Sequence, residues 1–223
     1  MNEIRPCPAC KGRELKEEYF EEPFYVMKCQ NCDLVFLGNP PEDESLYDEF
    51  YAGSGDSGED YHADSPVLTL REMYHINAQR IELITRFENT GFLLDIGCGN
   101  GFFLASLKEQ TSIDGLGVDI AGDAVEFARR EFGVAAKTAT IGDLLEEEHR
   151  FDIITLWHVL EHFKDPFRIL RKVHALLKPG GACVIEVPNL NSLKFRLARE
   201  KWEGGNHPRY HRTFLRRRHS GER

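Results

Sequence analysis

The sequence predicts an α/β fold, a parallel sheet with helices on both faces, preceded by a small cysteine-rich unit. Three observations predict it. From residue 67 onward, strand-like and helix-like stretches alternate, the order that builds a parallel sheet wrapped by crossover helices. Residues 93–101, "LLDIGCGNG", pass from an apolar run through an acid into three alternate glycines. Glycine costs backbone entropy, so that spacing implies a backbone that a Cβ would block. Finally, Cys7-x-x-Cys10 and Cys29-x-x-Cys32 are separated by 18 residues, a spacing that suits four thiolates around one tetrahedral zinc ion.

Residues 1–38 form the first unit, with "FYVMKC" and "LVFL" as its short strands. So few residues bury too little core to fold unaided, and a metal supplies what is missing. With Cys7, Cys10, Cys29 and Cys32 all engaged, Zn²⁺ has no open position, so its role is structural. Residues 39–66 read as an acidic connector. From residue 29 to residue 70 there are ten acids and no Lys or Arg, a solvated linker or, through Tyr47, Phe50, Tyr51 and Tyr61, a lid.

Residues 67–87 carry apolar side chains at helical spacing. "FLLDIG" is a strand, "GFFLASLKEQ" a helix, "GLGVDI" a second strand and "GDAVEFARREF" a second helix. "VAAKTATIGDL" holds a weak third strand, and "RFDIITLWHVL" is an apolar, β-branched fourth. Asp165-Pro166 opens a further helix with an N-cap and a first-turn proline, and Ile169, Leu170, Val173, Leu176 and Leu177 form its apolar stripe. "KPGG" should end that helix, and "ACVIEV" is a fifth strand. Cys98 and Cys183 fall in these elements and are expected to be buried thiols.

Composition narrows the partners. A net charge of −9 argues against general binding to nucleic acid or anionic membrane. No stretch approaches 18 apolar residues, and the N-terminus "MNEIRPCPAC" lacks an apolar signal core, so a soluble cytoplasmic protein is expected.

In an open α/β sheet the ligand lies beyond the carboxyl ends of the strands, which places the loop after "LLDI" at the site. Asp119, closing the second strand 18 residues after Gly101, is placed to accept both hydroxyls of a ribose. A dinucleotide needs G-x-G-x-x-G so that its pyrophosphate reaches the helix N-terminus. Here the third glycine comes one residue early and Phe102 stands where that pattern wants glycine. Asp95, two residues before the first glycine, suits the ammonium of an amino acid and is a poor neighbour for a pyrophosphate. Acid-x-Gly-x-Gly-x-Gly therefore favours S-adenosylmethionine over NAD.

"LLDIGCGNG" resembles the first motif of class I S-adenosylmethionine-dependent methyltransferases, which have a Rossmann-like fold. Asp119, Gly142-Asp143, "FDIITLWHVLEHFKDP" and "LLKPGG" follow in that family's order, and "VIEVPNLNS" resembles its ubiquinone-type and sugar methyltransferase subgroup. The resemblance spans about residues 70–215. It implies a methionine pocket shaped by Asp95, Gly97, Cys98, Gly99 and Gly101. It also implies ribose held by Asp119 beside Ile120, adenine held by Asp143 and Leu144, and Trp157-His158 closing over the cofactor. A four-cysteine zinc segment, "LVFLGNPP" and an acidic Tyr-rich connector also precede many such domains. The sugar C-methyltransferases among them carry a further C-terminal domain that is not present in these 223 residues.

Methyl transfer is an in-line displacement at a sulfonium carbon, so positioning supplies much of the catalysis. An acceptor hydroxyl also calls for a base, for which histidine is poised near neutral pH. Four histidines lie in plausible places, and His158, His207 and His211 are the catalytic candidates. They are set against cofactor packing for His158, helix-start hydrogen bonding for His162 with Glu161, and a structural role for His207 and His211. Trp202 and Tyr210 either line an acceptor pocket or pack. Some ubiquinone-type relatives bind a divalent metal through Glu-x-x-Glu-His; the run here is His158-x-x-Glu161-His162, with the first acid replaced.

Relatives of this class have seven strands, and five are legible. After "LNSLKFRLAREKW", read as a helix, and the loop "NHPRYHRTF", the basic end "FLRRRHSGER" offers no strand pair. The sheet is therefore expected to lack its last two strands and to leave an edge open to self-association. The reading is a methyltransferase acting on a small-molecule acceptor, at oxygen rather than carbon. The alternative is a non-catalytic zinc-ribbon scaffold whose incomplete domain binds cofactor or a partner. An NAD-dependent oxidoreductase is disfavoured by the glycine spacing.

Overall fold

The structure, a computed structural model, describes residues 3–21, 24–40, 70–144, 150–187 and 213–214. They divide between two compact units.

The first unit contains the described residues up to 40 together with His158–Ile169 and a short strand near the chain end. Its sheet runs β1 (Leu15–Glu21), β2 (Phe24–Cys29), β3 (Val35–Leu37) and β9 (Thr213–Phe214), in that order and antiparallel throughout. β2 and β3 are the two strands expected. β1 was not legible: "LKEEYFE" is charged and mostly exposed, and it becomes a strand by pairing with β2 from Leu15↔Cys29 to Glu21↔Phe24. β9 was not expected either; it exists through pairing Val35↔Phe214 and Phe36↔Thr213. Alternation gives the ribbon two apolar faces. Phe24 and Val26 meet Val35 and Leu37 on one, while Met27 and Cys29 meet Leu34, Phe36 and Cys7 on the other.

The second unit holds the five-stranded sheet, in the order β6 (Ala135–Thr138), β5 (Ser112–Asp119), β4 (Thr90–Ile96), β7 (Phe151–Trp157), β8 (Leu177–Glu186). Glu186, the last residue of β8, belongs to the first unit. The pairs β4–β5, β4–β7 and β5–β6 are parallel. The helices α1 (Leu70–Thr85), α2 (Phe102–Gln110), α3 (Gly122–Phe132) and α4 (Pro166–Leu176) alternate with the strands. Chain order reverses on either side of β4, so the switch point, where such sheets bind ligands, lies where β4 and β7 end.

The fourth helix starts as expected, with the Asp165 carboxylate accepting from the Arg168 amide at 3.0 Å. It ends at Leu176, just before "KPGG", as expected. What differs is that "KPGG" is already part of β8, where Lys178 pairs with Asp152 of β7 at 2.8 Å. Cys183, expected to be buried, is exposed on β8, which ends the sheet order. Cys98 is buried as expected. The connector, the segment 190–202, Trp202, His207, Tyr210 and His211 lie outside the described residues. Among the described residues no helix is long and apolar enough to cross a membrane.

Two glycines let α2 and its loop pack. A Cβ on Gly117 would stand 2.6 Å from Cys98 Sγ, and one on Gly101 2.6 Å from the Ala128 Cβ of α3. Gly101 also has φ +76, whereas Gly99, at φ +48, has nothing within 4 Å of its would-be Cβ. Gly101→Ala is therefore expected to cost ~2–4 kcal/mol, from left-handed strain plus overpacking. Gly99→Ala should cost about 1–2 kcal/mol from strain alone. Urea unfolding of the two variants checks the order; equal losses would contradict the packing role.

Candidate functional site

The site at the switch point is built from strand ends. β4 carries Asp95 between Gly117 of β5 and Thr155 of β7 in the sheet register. Thr155 Oγ1 donates to Asp95 Oδ1 at 2.7 Å, and the aspartate is only 1% exposed. Burial pushes its pKa up to about 7, against the pull of Thr155 and of the Arg80 charge. Its carboxylate thus waits near the midpoint of its titration, where a cationic ligand group would hold it ionised.

The glycine loop is stitched to β5. The amides of Gly97 and Cys98 both donate to Val118 O, at 2.8 and 3.1 Å, and the Gly101 amide returns to Cys98 O at 3.0 Å. The Gly99 amide donates to Asp119 Oδ2 at 2.8 Å, and Asp119 Oδ1 takes the Ala121 amide at 2.9 Å. Four loop N–H donors are thereby committed within the protein. Each Asp119 oxygen keeps a further lone pair for a hydroxyl donor. Cys98 contributes backbone only, since its thiol is packed in the core against the β5 backbone at Gly117. The Phe102 ring meets those of Phe132 and Phe127 at a tilt, at 5.2 and 6.4 Å between centroids.

Further round the edge, Ile120 follows Asp119 with 46% of its surface exposed, an apolar face on the rim. Asp143 accepts from the Thr140 amide and hydroxyl at 2.7 and 2.8 Å, which holds its carboxyl below the usual range. Leu144 is buried, so any polar contact it makes to a ligand comes from its backbone.

Arg80 and Asn77 were not singled out in the sequence. Asn77, buried, donates from Nδ2 to Phe102 O and Ser106 Oγ, both at 3.2 Å, and so ties α1 to the first turn of α2. One turn further, the Arg80 guanidinium lies 4.6 Å from the centre of the Trp157 ring, which meets Phe103 edge-on. The Trp157 indole Nε1 is buried and has no hydrogen-bond partner among the described residues. The only hint in the sequence was the 3–4 spacing of Asn77, Arg80, Ile81 and Ile84 on one helix face.

His158, expected as a base, is placed otherwise. Its φ is +57. Its Nδ1 lies 3.6 Å from the buried carboxylate of Glu161, and its Nε2 bonds Glu186 at 2.8 Å. Glu161 and then Glu186 favour the imidazolium and lift its pKa to about 9, burial acting against them. At neutral pH His158 holds a proton rather than accepting one, so this arrangement makes it an ion-pair partner. The His162 amide closes the same turn on Val159 O at 3.1 Å.

In the first unit the four cysteine sulfurs lie within 4.8 Å of one another, with Cys7–Cys32 at 3.6 Å and Cys10–Cys29 at 3.5 Å. Sulfurs about 2.3 Å from one tetrahedral zinc would be separated by about 3.8 Å, so the cluster fits. The two loops repeat one geometry. Cys7 and Cys29 donate their amides to the carbonyls of Gly12 and Leu34, and accept from the amides of Lys11 and Asp33. Those last two residues share φ values of 60 and 62. Burial works against the Cys29 thiolate, yet the amides of Cys32 and Asn31 bring its pKa to about 7.

The profile of the methyltransferase-domain family matches residues 70–221. The chain belongs to that family. Among curated relatives in the family's range, the ubiquinone biosynthesis O-methyltransferase of Coxiella burnetii is 28% identical over 158 residues, which cover 68% of this chain and 66% of that one. The protein of the same name from Xanthomonas euvesicatoria is 33% identical over 144 residues, 61% of this chain and 59% of its own. The chain thus matches about two thirds or less of these relatives' length. In fold it is similar to a SAM-dependent methyltransferase of Thermotoga maritima, with a TM-score of 0.51 at 23% identity over 63% of this chain and 65% of that one. The [4+2]-cyclase SpnF is similar at a TM-score of 0.50 and 21% identity, over 59% and 50%. Membership of the family agrees with the resemblance drawn from the motifs.

The buried acid yields a pH prediction. In the unfolded chain Asp95 ionises near 3.8, and in the folded one near 7. Between those values the folded state keeps a proton that the unfolded state has lost, so stability falls as pH rises from about 4 to 7. Urea unfolding at pH 4.5 and pH 8 should show Asp95→Asn escaping a loss on the order of 3 kcal/mol suffered by the parent, at about 1.4 kcal/mol per pH unit. Parallel curves for the two proteins would contradict it.

Proposed function

We propose that the second unit binds S-adenosylmethionine at the ends of β4 and β5, and that the chain passes the methyl group to a hydroxyl of a small molecule. The observation that carries this reading is Asp119, whose carboxylate holds Gly99 while keeping lone pairs for two hydroxyls, next to loop amides already spent. Asp95 would take the ammonium of the methionine end. Arg80 and the buried Trp157 Nε1–H, both donors, suit its carboxylate. Ile120 would lie against the adenine, with Leu144 offering backbone atoms to its edge. When bound, the cofactor supplies an electrophilic methyl carbon on a sulfonium centre. The protein's part is to orient it and keep its charged ends paired. The preference for oxygen rests on the names of the ubiquinone-type relatives. The acceptor's proton would go to His207 or His211, since His158 is already charged.

Calorimetric titration with S-adenosylhomocysteine tests the cofactor site. The parent should bind, and Asp119→Ala should bind about 1.5–3 kcal/mol more weakly, the scale of hydrogen bonds to a charged acceptor. No binding by a folded, metal-loaded parent would overturn the reading and favour a non-catalytic scaffold.

We propose further that Cys7, Cys10, Cys29 and Cys32 hold one structural Zn²⁺. Four soft thiolates at tetrahedral spacing, with both knuckles closed by backbone hydrogen bonds, support that ion. Elemental analysis should find one zinc per chain, and Cys29→Ser should lose it. A metal-free parent with unchanged thermal stability would count against the proposal.

A further inference from the structure

Arg5 stands two residues ahead of Cys7 and is tied at four points within the first unit. Its amide donates to Gly38 O at 2.8 Å and its Nε to Leu37 O at 2.9 Å. Its guanidinium lies 5.5 Å from the centre of the Phe36 ring. Its Nη1 donates to Lys164 O at 2.7 Å, across 159 residues of chain. Leu37 and Phe36 belong to β3, the strand that follows the second knuckle, whereas Lys164 belongs to the turn that leaves β7. Phe167, just beyond that turn, packs against the cluster formed by Cys7, Cys29, Leu34 and Phe36. The turn itself is short, closed by His162 N–H to Val159 O and Phe163 N–H to Leu160 O. It carries His158, Glu161 and His162.

We propose that the four-cysteine knuckle is a positioning device for the turn at His158–Lys164, with Arg5 as its link. A ribbon this small cannot hold three-residue β3 and its neighbours by apolar burial alone, so the metal that closes the knuckles also sets where Arg5 presents its guanidinium. Planar and forked, that group serves two carbonyls and one ring face together, which a lysine ammonium cannot do. Arg5 is thus a positioning residue: it acts on the turn's backbone and through it on the side chains the turn displays. The inference rests on the metal reading of the four thiols, but the Arg5 half of its test does not.

Hydrogen exchange on the full chain tests it, in the zinc-loaded parent, after chelation, and in Arg5→Met and Arg5→Lys. Arg5→Met should keep its zinc while the His162 and Phe163 amides exchange roughly tenfold faster, the scale of one hydrogen bond from a charged donor. The Leu94–Ile96 amides should keep their protection, Arg5→Lys should recover part of the effect, and chelation should loosen the turn at least as much. The His158 ring N–H resonance, from the proton bonded to Glu186, should shift in Arg5→Met. Unchanged exchange at the turn in both the chelated chain and Arg5→Met would overturn the proposal. So would an equal rise throughout β4, which would make the effect one of general stability. Titration with S-adenosylhomocysteine runs alongside: a parent that fails to bind sinks the cofactor reading and leaves the exchange result standing.

Discussion

Asp119 accepts the amides of Gly99 and Ala121 at 2.8 and 2.9 Å, and those two bonds fix the loops that leave adjacent strands. One loop opens α2 and the other opens α3, so a single carboxylate sets the edge at which two helices start. The rest of the site depends on that constraint. Gly97 and Cys98 can reach Val118 O only if the loop folds back over β5. The fold back is in turn possible because Gly117 presents no side chain beneath Cys98. A loop with four amides engaged in this way is held in one shape, and beside it the Asp119 carboxylate stands as an acceptor.

Next to it, Asp95 shows how the sheet register can tune a charge. Thr155 stands beside it on β7 and supplies one hydrogen bond, while Arg80 from α1 supplies distant opposite charge. Neither offsets full burial, so the carboxyl titrates near neutrality instead of in the usual acidic range. A ligand bringing its own positive charge completes the site electrostatically, which is the physical reason a cationic amino-acid group suits this position better than a phosphate.

The first unit solves a different problem, that of too little core. Two loops of the same geometry, each with a left-handed residue after its second cysteine, bring four sulfurs to tetrahedral spacing. The ribbon around them is more than an appendage. It takes a fourth strand from Thr213–Phe214 and grips Lys164 through Arg5. Residues far apart in sequence thereby belong to one small unit.

Much of this was legible in the amino-acid order because local rules decide it. Strand–helix alternation, the Asp165-Pro166 helix start, the glycine spacing with Asp119, and the paired cysteines each depend on neighbours within about 20 residues. The structure agrees with them closely: α3 spans the predicted Gly122–Phe132. Tertiary contacts decided the remainder. β1 and β9 lack an apolar alternation of their own and are strands only because β2 and β3 offer free backbone edges. "KPGG" follows the helix end as expected, but its place inside β8 comes from the neighbouring strand of the sheet. His158 looked like a base until two carboxylates from different parts of the chain surrounded it. Sequence alone determined the fold class and the place of Asp95, the glycine loop and Asp119 at the strand ends. Only folding could decide their protonation and the reach of Arg5 and Arg80, since burial and long-range charge are properties of packing rather than of order along a chain.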